Sequence, residues 1–147
     1  GHAKDYVSMQ WLMLQQKIPE DFVIASGRME KVRTFIEISA RKLGWSKNKN
    51  SPSIIWEGEG INEIGRRGDN NDVVVKIDPR YFRPTDVEQL LGDPKKAYEK
   101  LGWEPKIKLE ELIEEMISVD IIEAEKESLL KSRGFIVNSS NESPPNN

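Results

Sequence analysis

The chain has 147 residues, 32% of them charged, with a net charge of −3 and no cysteine. That length suits one ordinary domain with a core of its own. The charge balance argues against a uniformly basic nucleic-acid surface, so no nucleic-acid partner is expected. The missing cysteines exclude disulfides, thiolate metal sites and a thiol nucleophile.

Taken in chain order, residues 4–16 (KDYVSMQWLMLQQ) predict a helix whose apolar residues cover most of its circumference, to be buried on more than one side. Asp5 falls in its first turn, where the helix dipole favours an acid. Residues 22–25 (FVIA) read as a short strand, and residues 30–43 as a helix capped by Gly44. A second short strand is expected at 54–56. Residues 57–71, rich in glycine, asparagine and charge, read as a long loop. The clearest strand is VVVKI at 73–77. Asp93-Pro94 announces a helix over 95–101 that stops at Gly102. A long helix is expected over 109–131, with a break near Ser118. The tail, 137–147, is too poor in apolar residues to fold.

The stretch that organises the chain is 77–93, IDPRYFRPTDVEQLLGD. Asp-Pro and Arg-Pro push their first residues away from helix, so a strand runs into an ordered loop. Arg80 and Arg83 on such a loop could fork onto a diphosphate, with Asp86 accepting from a sugar hydroxyl. Equally, the arginines could simply pair with neighbouring acids. Arg28, Lys31 and Arg33 around a Gly-to-helix junction, and Arg66 and Arg67 on the 57–71 segment, add further cations, and together they point to an acidic ligand or partner. The acids are not at metal-ligand spacing and His2 is the single histidine, so no metal site is expected. No glycine-rich dinucleotide turn follows a strand, and no complete catalytic set is visible. No apolar run approaches the roughly 20 residues of a membrane span, and no signal-peptide layout opens the chain, so a cytoplasmic protein is expected.

Six segments carry a resemblance: GHAKDYV (1–7), EDFVIASG (20–27), VRTFIE (32–37), IIWEGEGINEIGRR (54–67), DPRYFRPTDVEQLLGDPKKAYEKLGWEP (78–105) and SLLKSRGF (128–135). They resemble the C-terminal part of the GDP-mannose 4,6-dehydratases, a family of the extended short-chain dehydrogenase/reductases. The resemblance implies a mixed, helix-rich α/β fold: a small substrate-binding lobe, without the Rossmann lobe that in the family holds NADP and the catalytic Tyr-x-x-x-Lys. It divides the chain into a connecting helix that packs on the Rossmann lobe (1–17), a GDP-sugar-binding lobe (18–136) and the tail. Carried over residue by residue, Arg83 matches the arginine that binds the GDP diphosphate. Asp86 matches a glutamate that contacts the ribose, and is one methylene shorter. Arg80 receives no role. No Tyr-x-x-x-Lys occurs in these residues, so the chain alone is expected to be inactive and to bind no NADP, and to hold GDP-mannose weakly. The alternative is a stand-alone interaction protein that pairs with a separate Rossmann lobe. A homo-oligomer is expected, because the apolar helix at 4–16 would otherwise leave a bare patch.

Overall fold

A computed structural model describes residues 1–83 and 90–137. Two helices, a three-stranded antiparallel sheet and two further helices follow in that order: α1 (Ala3–Leu14), α2 (Val32–Lys42), β1 (Ile54–Glu57), β2 (Ile64–Arg67), β3 (Val73–Lys76), α3 (Lys95–Leu101) and α4 (Leu109–Ser132). This is the small mixed α/β fold that the sequence implies. The sheet order is β1-β2-β3, with Trp56 opposite Gly65. Gly65 is fixed by packing: a Cβ there would lie 3.0 Å from the Trp56 ring and 3.1 Å from Val75 Cβ.

The main core joins α1, α3 and the segment after α3. Met9, Ala97 and Trp103 are buried together, with Tyr6, Met13, Phe22, Ile24 and Leu101 against them. Asp5 is buried here, and it does more than meet the helix dipole. Its carboxylate accepts from the backbone N–H of Lys106 (3.1 Å) and Ile107 (3.0 Å), and its carbonyl accepts from Trp103 Nε1 (2.9 Å). One residue thereby satisfies three donors of a segment that has no secondary structure of its own. A second, smaller core lies between α2, the sheet and the start of α4, where Ala40, Ile54 and Ile113 are buried.

Four expectations are corrected. Residues 22–25 form no strand and take no place in the sheet. Their apolar side chains are used instead, with Phe22 and Ile24 against the main core. Residues 57–71 are not one long loop. They contain a 3-10 turn at Gly60–Asn62 and all of β2, which supplies the pairing that β1 and β3 need. α4 runs unbroken through Ser118, whose hydroxyl donates to Glu115 O (2.9 Å) and so remains satisfied within the helix. Finally, α1 is buried on one side only: Val7, Trp11 and Leu14, at helical spacing, are exposed. The C-terminal ends behave as expected: Gly44 and Gly102 both have positive φ just beyond α2 and α3. At the start of α3 the cap position is Pro94, not Asp93 as expected, and the Asp93 side chain accepts from Lys95 N (2.9 Å) one residue further out.

Candidate functional site

The 77–93 stretch leaves β3 and turns at once. Pro79 opens a 3-10 turn, Pro79–Tyr81, and Asp78 caps it by accepting from Arg80 N (3.0 Å). The same carboxylate takes the Arg80 guanidinium, with Nε at 3.0 and 3.1 Å and Nη2 at 2.6 Å. That guanidinium beside it, with the backbone N–H second, holds the Asp78 carboxyl down at about 2. Arg80 is therefore committed to shaping the turn. Arg83, two residues after the turn, is exposed, and among the described residues its side chain has no hydrogen-bond or ion-pair partner. Asp86 lies outside the described residues.

The far end of the stretch is anchored on residues 20–27. Gly92 lies so close to this segment that a Cβ would come within 2.5 Å of Ala25 Cβ. Lys96 Nζ donates to Asp21 O (2.7 Å) and sits 4.7 Å from the centre of the Phe22 ring. Glu20 receives both Lys100 (2.6 Å) and Lys96 (3.1 Å), and these two, Lys100 first, hold its carboxyl below the usual range. Lys96 and Lys100 are four residues apart and share a face of α3. That spacing was the available signal for this anchor, which needs the fold to bring Glu20 opposite.

The other predicted cations separate into two groups. Arg33 pairs with Glu63 and stacks 4.5 Å over the Trp56 ring. Arg66 Nε bonds Glu57 (2.9 Å). Arg67 grips Asp69 through two bonds (3.0 and 2.6 Å) and lies 4.5 Å over the Trp45 ring. Hydrogen bonding from Arg67, first among the causes, lowers the Asp69 carboxyl. These three arginines brace the sheet and its loops, so the idea of one joint anion site on three loops does not hold for them. Arg28 stands apart. It lines a cavity of about 240 Å³ with His2, Ser26, Glu30 and Lys108.

Among the described residues no group of three His, Asp or Glu side chains is placed to hold a metal ion, and no helix is long and apolar enough to cross a membrane. A dinucleotide sits on a glycine-rich turn between a parallel strand and a helix N-terminus, whereas the strands among the described residues are all antiparallel.

Comparisons with known proteins bear on the family. The model of the GDP-mannose 4,6 dehydratase family matches residues 1–116. The GDP-mannose 4,6-dehydratase of Yersinia enterocolitica is 48% identical over 147 residues, covering 93% of this chain and 38% of its own length. One from Vibrio cholerae is 51% identical with the same coverages. The Homo sapiens GDP-mannose 4,6 dehydratase is 46% identical over 121 residues, or 82% of this chain and 31% of its own length. The chain thus spans about a third of the length of these relatives (31–38%), and it aligns with their C-terminal part. With a family match over residues 1–116 and close to half its residues identical to these enzymes, the chain belongs to the GDP-mannose 4,6-dehydratase family.

Proposed function

We propose that these residues form the nucleotide-side half of a GDP-mannose site, and that Arg83 is the diphosphate contact. The observation that carries this reading is the difference between two arginines three residues apart. Arg80 is locked onto Asp78, while Arg83, two residues past the same turn, is exposed. A guanidinium presented on a braced loop loses little freedom when it forks onto a diphosphate. Asp86, three residues on, accepts from a ribose hydroxyl in this reading. The substrate class comes from the relatives, which are named for GDP-mannose.

Chemistry at the sugar needs a hydride carrier and a proton-transfer set, neither of which these residues supply. NADP in the family would be held elsewhere, on residues that match the rest of the relatives' length. The exposed α1 stripe of Val7, Trp11 and Leu14 fits the same account, since an exposed apolar face is natural packing for that remainder. This chain alone, given NADP and GDP-mannose, is expected to yield no 4-keto-6-deoxy sugar. The stripe equally suits the second reading, in which the chain docks a separately supplied Rossmann lobe.

The test is calorimetry with GDP on the wild type and on Arg83→Ala. Weak binding that falls ten- to a hundredfold in the variant is expected, since a charged contact is worth about 1.5–3 kcal/mol. Equal affinity in both proteins removes Arg83 from the role.

A further inference from the structure

The turn that leaves β3 exposes more than a guanidinium. Tyr81 is 59% exposed and Phe82 44%, and neither joins the main core. Arg83 follows them directly and is exposed as well. Two large aromatics side by side in water make an apolar patch, and a patch of this kind marks a surface that meets a ligand or partner.

The two rings are not equivalent. Tyr81 closes the 3-10 turn, with its backbone N–H donating to Asp78 O at 3.0 Å. The Arg80 guanidinium lies over the Tyr81 ring, 5.9 Å from its centre. That guanidinium is itself held on Asp78 by three bonds. One face of Tyr81 is therefore backed by a fixed cation, and a ring braced in this way loses little freedom when a flat ligand covers its other face. Phe82 has no such support. Its backbone is extended, at φ −72° and ψ 121°. The Cα atoms of Tyr81 and Arg83 on either side of it thus stand about 7 Å apart. A ribose spans a gap of that size between a base and a diphosphate.

We propose that Tyr81 is the base platform of the nucleotide site, with a purine stacked on its open face while Arg83 takes the diphosphate. This inference rests on the Arg83 reading and supplies the other half of the ligand. Every base has a π-face, so stacking on Tyr81 favours a purine nucleoside diphosphate over a bare diphosphate without separating guanine from adenine.

Proton and phosphorus NMR titrations of the full 147-residue chain with GDP, ADP and inorganic pyrophosphate test it. The wild type should bind GDP about tenfold more tightly than pyrophosphate, the size of one stacking contact. Tyr81→Ala should remove that advantage, weaken ADP by the same factor, and abolish the upfield shift that the ring imposes on the guanine H8 proton. Pyrophosphate affinity should be unchanged in this variant, and Tyr81→Phe should behave as the wild type. Tyr81 is exposed, so truncating it opens no core. An equal loss of GDP and pyrophosphate in Tyr81→Ala overturns the proposal, because the ring then only holds the turn. Unchanged GDP affinity in Tyr81→Ala also overturns it, whether or not Phe82→Ala lowers that affinity. A failure of the Arg83 reading looks different: pyrophosphate then binds Arg83→Ala as well as it binds the wild type, whatever Tyr81 does. A wild type that binds pyrophosphate and GDP equally leaves Arg83 its role and removes the one assigned to Tyr81.

Discussion

The sheet region and the loop that leaves it both place arginines within a few residues of acids, and they use them differently. Around the sheet each of Arg33, Arg66 and Arg67 has a carboxylate, and Arg33 and Arg67 also cover a tryptophan ring. After β3 one arginine, Arg80, is spent on the turn, and the next, Arg83, is exposed. Arginine content alone therefore does not mark a binding site. In the proposed reading the distinction is between a guanidinium committed to its own turn, Arg80, and an exposed one, Arg83.

That contrast can be broken first at the sheet. Gly68 N donates to Ser53 O (2.9 Å), and a Cβ on Gly68 would sit 1.9 Å from Pro52 O. Backbone cannot yield cheaply there, so Gly68→Ala should destabilise by about 3 kcal/mol in urea unfolding. A loss under about 0.5 kcal/mol, the size of an ordinary surface change, would show that the hairpin end is looser than the packing implies. Next comes Arg33→Ala, which removes the stack on Trp56 and the partner of Glu63. About 1 kcal/mol of stability should go, while GDP affinity stays unchanged. If GDP affinity falls with it, Arg33 belongs to the site and the contrast is misdrawn.

The smallest effect concerns the turn. Asp78 has its carboxyl lowered from 3.8 to about 2 by Arg80, so its folded form prefers the charged state. The stabilisation it provides is present above the ordinary value of 3.8 and is lost as pH falls through about 2. Carboxyl resonances followed by NMR should show the Asp78 midpoint near 2 in the wild type, moving up toward the ordinary value in Arg80→Ala. A midpoint already at the ordinary value in the wild type would mean that the turn is not braced.

Much of this was legible in the sequence. Helical periodicity located α1, α2, α3 and α4 to within two residues, because glycine and Asp-Pro punctuation acts locally. β2 was not legible: IGRR has one β-branched residue in four, and its strand state comes from pairing with β1 and β3. The reverse error at residues 22–25 has the same origin, since an apolar run reads as a strand until no partner is found for it. The buried role of Asp5 depends on contacts a hundred residues away, which spacing cannot report. At the site, the Asp-Pro-Arg order pointed to an ordered turn with two cations, and the coordinates of Asp78 decided which cation was committed. The pairing of Arg80 agrees with a resemblance that gives it no role, and the match over residues 1–116 supports the family without testing Arg83.

The central claim, that Arg83 and not Arg80 meets the diphosphate, is tested most directly by phosphorus NMR. GDP would be titrated with the wild type, Arg80→Ala and Arg83→Ala, and the diphosphate resonances followed. The account predicts shifts that persist in Arg80→Ala, weakened by at most the loosening of the turn, and that vanish in Arg83→Ala. Shifts retained in Arg83→Ala and lost in Arg80→Ala would contradict it.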